Sequence, residues 1–462
     1  FAGGYESSYE FVLIEVVMKI SLSDHFTYKK LLRYVMPSVF MMIVSSVYSI
    51  VDGFFVSNFV GKNSFAAVNL IMPFIMILCA VGFMIGAGGT ALIAKTLGEG
   101  KDRQASEYFS MLIYVLIVLG IVLSVFGIIF MRPIAHFLGA DAEVLEDCVL
   151  YGRILMASNT FFMMQNAFQS FMVAAEKPHF GLVISIATGI TNMALDFLLV
   201  YVFPFGIAGA GIATLIGQIL GGMIPLVYFM RPNNNSRLRL VRTGIDWNVL
   251  GKACMNGASE MVSNISASVI GMLYNFQLLR MASVNGVAAY GVIMYVTFIF
   301  MAFFFGYSVG VNPIVGYHYG AGNHDELKNI LKMSLKITTV VAVIMTVAAC
   351  VCAGPIASIY VGYDQELHEM TIHAMRIYSI SFLLCGFNIF GSAFFTGLNN
   401  GTVSAIISFL RTFVFQVAAI LIFPIFLGVN GIWLAITAAE GLTLTVTMYF
   451  LVKNRHRYHY AD

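Results

Sequence analysis

The sequence predicts an all-α membrane protein of twelve transmembrane helices, arranged as two six-helix bundles related by a pseudo-twofold axis along the membrane normal. Three observations predict it. Only 10% of the 462 residues are charged and 59% are hydrophobic, with a mean hydropathy of +0.87, whereas a soluble domain carries about a quarter charged residues. Apolar runs recur from residue 31 to residue 452, each long enough to cross a hydrocarbon core about 30 Å thick. The two halves of the chain also resemble one another at a constant spacing.

The runs place spans at 31–57, 64–90, 105–131, 145–171, 178–203 and 206–230, then at 249–275, 287–312, 326–352, 370–395, 402–426 and 429–452. Basic residues alternate with the spans. Lys19, Lys29, Lys30 and Arg33 precede the first; Lys95, Lys101 and Arg103 follow the second; Arg231, Arg237, Arg239 and Arg242 follow the sixth; Lys453, Arg455 and Arg457 follow the last. The opposite loops hold Asp141, Glu143, Glu146 and Asp147, and later Asp364, Glu366 and Glu369. The positive-inside rule then predicts cytoplasmic termini. Residues 1–26 are set apart as a leader. Within it, 1–17 lack a methionine and precede Met18-Lys19, which reads as a natural start; their apolar stretch is too short to span and carries no cleavage signature.

The repeat has an offset of 222 residues. Gly88 to Gly100, continuing into Lys101-Asp-Arg103, falls on Gly310 to Gly322; Ala66-Ala67 falls on Ala288-Ala289; and Gly206-Ile-Ala-Gly209 falls on Gly428-Val-Asn-Gly431. A match at both ends of the unit marks an internal duplication. Six spans per copy is an even number, so both copies enter the membrane alike. That is the parallel-repeat architecture of transporters, with the substrate site between the lobes. The expected lobes are 27–230 and 249–452, joined by a basic cytoplasmic linker at 231–248 and followed by a cytoplasmic tail at 453–462.

Several chemistries are excluded. Gly61-Lys62, Gly100-Lys101 and Gly251-Lys252 are not followed by Ser or Thr, so no P-loop exists. Gly306-Tyr-Ser308-Val-Gly310 matches a hydrolase elbow in letters only, because it lies in an apolar helix rather than between a strand and a helix. His368, Glu369 and His373 have the wrong spacing for a zincin. The six cysteines lie mostly within spans and form no metal pattern. No enzyme is expected.

What remains is polarity at membrane depth, where an acid is a functional-site hypothesis by default. Asp52, Asp196, Glu260 and Glu440 are the deep acids. Asp52 shares a stripe of the first helix with Ser38, Ser45 and Ser49, fifteen residues after Pro37, whose ring predicts a kink about four turns away. Ser185, Thr188, Asn192 and Asp196 are spaced 3, 4 and 4 apart, so they share one helix face. Tyr151 and Asn166 on the fourth helix, with Thr214 and Gln218 on the sixth, complete a polar pocket if they converge. Two carboxylates with amide and hydroxyl oxygens make a hard-oxygen site for Na⁺, and neighbouring carboxyls equally make a proton site. The competing reading is an aspartate held in a static helix–helix hydrogen bond. For Glu260, lined by Asn256, Ser263, Asn264 and Ser268, both readings stand. Glu440 lacks a polar stripe and reads as structural. Arg411 and Lys336 either bridge acids or snorkel to an interface, and snorkelling is the expectation. The 27 methionines and 40 phenylalanines suit a pocket for varied apolar or cationic ligands, although each alone reads as lipid-facing or core.

With the repeat, Pro37, Asp52 and the Asn192-x-x-x-Asp196 pair in place, the chain resembles the multidrug and toxic compound extrusion (MATE) family from about residue 27 to residue 452. The resemblance implies a cation-coupled antiporter that exports organic, often cationic, drugs by alternating access in a bacterial inner membrane. It implies that Asp52, Asn192, Asp196 and Thr214 hold the coupling H⁺ or Na⁺, with Na⁺ as the metal they would ligate. Tyr151, Asn166, Gln218 and Pro37 would support them, and Glu260 would be the second-lobe candidate. The tenth helix departs from some members: no acid follows Glu369 until Glu440, so weight falls on the first lobe. No cofactor other than the ion is implied. The expected partners are small-molecule drugs and membrane lipid, with no nucleic acid, and the chain is expected to act as a monomer. The alternative is a flippase for lipid-linked saccharides, which would line its cavity with Arg and Lys to hold pyrophosphate. At the offset of 222, Asp52 falls on Tyr274, Asp196 on Ala418, Asn192 on Val414 and Glu260 on Ser38. The repeat therefore predicts symmetric lobes with an asymmetric charge.

Overall fold

The computed structural model describes residues 20–231 and 236–460. Residues 1–17 of the expected leader, Met18-Lys19 and the Pro232 to Asn235 part of the linker lie outside them. Among the described residues the chain is helical, without strands. The first lobe comprises α1 (Tyr28–Phe55, continued by a π-helical turn Val56–Val60), α2 (Lys62–Gly98), α3 (Asp102–Phe137), α4 (Leu145–Ala174), α5 (Pro178–Asp196, continued by a π-helical segment Phe197–Val202) and α6 (Gly206–Met230). The second comprises α7 (Trp247–Gly320), α8 (His324–Val361), α9 (Gln365–Ser379), α10 (Phe382–Gly397), α11 (Gly401–Phe409, continued by a π-helical turn Leu410–Val414), α12 (Phe415–Leu427) and α13 (Val429–Tyr458).

Two differences from the expected spans have local causes. The seventh and eighth spans are joined without a loop: α7 runs for 74 residues and breaks only at Ser283, where φ is +51°. Gly61, with φ of +127° between α1 and α2, stands 222 residues earlier, so the duplicated unit turns at the same point in both copies. The tenth span is bent by 44° between α9 and α10. There the Ser379 hydroxyl donates back to the Met375 carbonyl, a contact that competes with the helix ladder.

Nine helices among the described residues are long and apolar enough to cross a membrane, ten with the bent pair counted as one. α4 and the first half of α7 complete the twelve crossings but fall outside that group. α4 buries Asn159, Gln165, Asn166 and Gln169, so its polar side chains face protein rather than lipid, which is where a membrane protein can keep them. Twelve crossings put both described ends of the chain on one face, the face of the basic loops.

On that face the lobes meet through glycine. A Cβ added at Gly88 would lie 2.0 Å from the Ala253 carbonyl oxygen, one at Gly98 would lie 2.0 Å from that of Tyr317, and one at Gly320 would lie 2.0 Å from that of Lys95. Gly98 and Gly320 are themselves 222 residues apart, so the seam is a symmetric backbone-to-backbone contact. The hydrolase-like motif belongs to it: Cβ atoms at Gly306 and Gly310 would strike Val39 and Val35 of α1, so its glycines serve helix packing. By contrast, Gly53, Gly271 and Gly291, in the opposite halves of their spans, have nothing within 4 Å of an added Cβ. Gly98→Ala is expected to lower the melting temperature in detergent by several degrees, because carbonyl oxygens of a packed helix cannot step aside. Gly271→Ala, measured alongside, is expected to leave it unchanged or slightly raised.

The described part of the expected leader is packed into this seam. Ser21 Oγ and the Leu22 amide donate to Glu176 at 2.7 and 2.8 Å, while the Phe26 amide donates to Glu326 at 2.9 Å and His25 Nδ1 lies 2.6 Å from the same carboxylate. Glu176 follows α4 in the first lobe and Glu326 opens α8 in the second, so residues 20–27 tie both lobes together. Leu22 and Phe26 are fully buried.

Candidate functional site

The expected stripe on α5 is a buried stripe: Ser185, Thr188, Asn192 and Asp196 all face inward. Glycines set the walls around it. Gly189 brings α1 close at Val44 and Tyr48, Gly217 brings α6 to within contact of Asn192 and Thr188, and Gly221 and Gly222 let α6 ride on Gln165 and Phe161 of α4. α1, α4, α5 and α6 thus surround one polar column.

Asp52 sits at its end on α1, buried, and Asp196 is fully buried opposite, within electrostatic reach of Asp52. The Tyr151 hydroxyl of α4 lies within reach of both carboxylates and faces Thr214 of α6. This group lacks internal hydrogen-bond partners. Asp52 Oδ1, both carboxylate oxygens of Asp196, Asn192 Oδ1, Thr188 Oγ1, Thr214 Oγ1 and the Tyr151 hydroxyl are buried without a hydrogen-bond partner among the described residues. Buried polar atoms are nearly always paired, and an unpaired buried carboxylate is among the costliest arrangements a protein can hold. The donor set fits a small cation: carboxylate, amide and hydroxyl oxygens are the ligands of hard ions. It fits a proton equally well, since protonation turns a lone acceptor into a donor for its neighbours. Among the described residues no group of three or more His, Cys, Asp or Glu side chains could hold a metal, so any Na⁺ here would rely on amide and hydroxyl oxygens beside the two aspartates.

Two residues expected in the network lie farther along its helices than Tyr151 and Thr214. Gln218 receives the Ser158 hydroxyl of α4. Asn166 is fifteen residues beyond Tyr151 on the same helix, about 22 Å along its axis, and its Nδ2 is buried without a partner at that level. Tyr48 and Gln165 were missed. Tyr48 lies one turn before Asp52 and within reach of its charge, with Gln165 beside its hydroxyl. The signal for Tyr48 was its i−4 spacing from an acid on the same helix. Pro37 is buried inside α1, which runs past it unbroken.

The second lobe corrects one expectation. Arg411 does not snorkel: its Nε donates to Glu440 Oε1 at 2.8 Å, with Arg411 10% and Glu440 4% exposed. Asn388 Nδ2 donates to Glu440 Oε2 at 2.7 Å, and the Thr447 hydroxyl donates to Asn388 Oδ1 at 2.9 Å. Glu440 is therefore the satisfied structural acid it was read as. Glu260, half-buried on α7, lies within electrostatic reach of Arg411. Arg411 stands on the π-helical turn after α11, and Lys336 is exposed. Deep charge is thus present in both lobes; among the described residues Glu440 is paired with Arg411, whereas Asp52, Asp196 and Glu260 form no ion pair.

The MatE family model matches the chain twice, over residues 37–198 and 261–422, one match per lobe at nearly the spacing of the repeat. The Multidrug export protein MepA of Staphylococcus aureus (strain MSSA476) is 22% identical over 93% of this chain and 94% of its own length. That of Staphylococcus haemolyticus (strain JCSC1435) is 23% identical over the same shares. Among solved structures, a MATE in complex with MaL6 superposes with a TM-score of 0.87 at 22% identity, covering 94% of this chain and 97% of the other. The outward-facing conformation of a multidrug resistance MATE family transporter of the MOP superfamily gives the same values.

Proposed function

The chain belongs to the MatE, or multidrug and toxic compound extrusion, family of membrane transporters, and we propose that it is a cation-coupled antiporter that exports organic, often cationic, drugs. The observation that carries the coupling is the buried pair Asp52 and Asp196 with no internal counter-charge. A transporter must hold its driving ion in one conformation and release it in another, so the binding carboxylates cannot be permanently neutralised by the protein itself. Asp52, Asn192, Asp196 and Thr214 hold the H⁺ or Na⁺, and Tyr151 orients the group. Asn166 and Gln218 support the column at a greater distance.

The seam closed at the basic face and the open space beside Gly53, Gly271 and Gly291 support a resting form open on the opposite face. With the basic loops cytoplasmic, that form is outward-open. An external cation enters, binds Asp52 and Asp196, and biases the lobes toward release of drug and reorientation. The flippase reading is disfavoured by the one deep arginine described, because Arg411 is already neutralised by Glu440 and has no charge to spare for pyrophosphate.

Reconstitution in vesicles tests the proposal. Ethidium or a fluoroquinolone is expected to move against its gradient when a pH or Na⁺ gradient is imposed, and to stop when that gradient is collapsed. Equal flux with and without either gradient would overturn the coupling.

A further inference from the structure

A cavity lies away from the aspartate column, at the rim of the interlobe seam on the basic face. It measures about 940 Å³ and is lined from both lobes. The first lobe contributes Lys95, Glu99 and Lys101, and the second contributes Lys252 and Asn256. The single carboxylate is already engaged: Glu99 pairs with Lys101 at 2.8 Å and with Lys95 at 3.9 Å. Three lysines against one acid leave the crevice positive, and Lys252 is exposed with no ion-pair partner among the described residues.

Helix starts add to that field. α3, α7 and α11 all begin at its wall, and their N-terminal amides favour an anion there. Side chains cap two of these starts, Asp246 at α7 and Asn400 at α11, whereas α3 begins without a side-chain cap.

A second kind of observation points to a ligand. The rim names the rest of the molecule: Trp247 is 73% exposed and Met255 56% exposed, and an exposed tryptophan at a helix end is a membrane-interface residue.

We propose that this crevice binds the headgroup of an anionic phospholipid, such as phosphatidylglycerol. The phosphate lies against Lys252 and the α3 start, and the acyl chains leave past Trp247 and Met255. Because Asn399 Nδ2 donates to the Ala91 carbonyl across the lobes at 3.2 Å beside the same cavity, a headgroup there touches both lobes and holds the seam shut at this face. The lipid acts as a conformation-selective ligand, stabilising the form it fits.

The test uses the full chain in detergent, titrated with phosphatidylglycerol or phosphatidylcholine while thermal unfolding is followed, so it is independent of transport. Phosphatidylglycerol is expected to raise the melting temperature saturably and phosphatidylcholine is not. Lys252→Gln is expected to weaken the apparent affinity about fivefold, the worth of one lysine near a charged headgroup. Lys29→Gln, which removes an exposed charge outside the crevice, is expected to leave it unchanged. Equal loss in both variants would reduce the effect to general attraction and overturn the site. So would equal stabilisation by phosphatidylcholine. Inorganic phosphate reproducing the shift at the same concentration would overturn the lipid assignment in favour of a free-anion site.

Discussion

Asp196→Asn and Asp52→Asn each reduce gradient-driven efflux in vesicles to the level of protein-free controls, while the variants insert and melt at or above the wild-type temperature. The two halves of this expectation come from one fact. Asp196 is fully buried with neither carboxylate oxygen partnered, and Asp52 is buried with one oxygen unpartnered. Replacing an unpaired buried acid by its neutral isostere removes a desolvation cost and breaks no hydrogen bond among the described residues, so stability holds or rises. Coupling cannot survive, because an amide neither takes up a proton nor supplies the negative charge a cation requires. A static helix–helix role for the aspartates predicts the reverse pattern, lowered melting with transport scaled only to the amount of folded protein. Measuring melting and flux on the same preparations separates the two. Thr214→Val should fall between them: it removes one neutral oxygen ligand and leaves both charges, so the cation concentration for half-maximal transport rises while the maximal rate is largely retained.

The molecule was legible where information is local along the chain. The α5 stripe could be read because positions 3 and 4 apart on a helix share a face, and the same rule would have reached Tyr48. The duplication could be read because Gly98 and Gly320 do the same work at the seam, so the same residue was kept at both places. What could not be read was set by pairing across helices. Arg411 and Glu440 are 29 residues apart on different helices, and no spacing rule links them, so an isolated arginine was read as snorkelling. Asn166 was misplaced for a related reason: residue type put it in the pocket, but its height along α4 put it about four turns from Tyr151. The joint in α7 turns on one residue, Ser283, whose sequence neighbours read as a loop. The leader was set aside because its apolar stretch is too short to span, yet the amides of Leu22 and Phe26 are what Glu176 and Glu326 accept from.

Breaking the second-lobe pair is the largest stability effect to expect. Glu440→Leu strands a guanidinium that is 10% exposed and leaves Asn388 Nδ2 without its carboxylate; losing one partner of a buried pair costs about 3–5 kcal/mol. Arg411→Leu strands the carboxylate instead, but Asn388 still donates to it, so the loss is smaller. The combined Arg411→Leu, Glu440→Leu variant removes both desolvation costs at once and is expected to recover most of the stability, so the single effects will not add. Glu260 sets the limit on the first loss. It lies within reach of Arg411 from the α7 side, and the arginine stands on a π-helical turn, a segment whose bonding leaves room for adjustment. With Glu440 gone, Glu260 can take up part of the guanidinium's charge. Glu260→Gln alone should therefore be mild, while Glu260→Gln added to Glu440→Leu should cost more than the sum of the two. Additive melting shifts across that cycle would mean that Arg411 never engages Glu260. The second lobe would then hold a fixed ion pair and a separate acid, rather than one cation shared between two carboxylates.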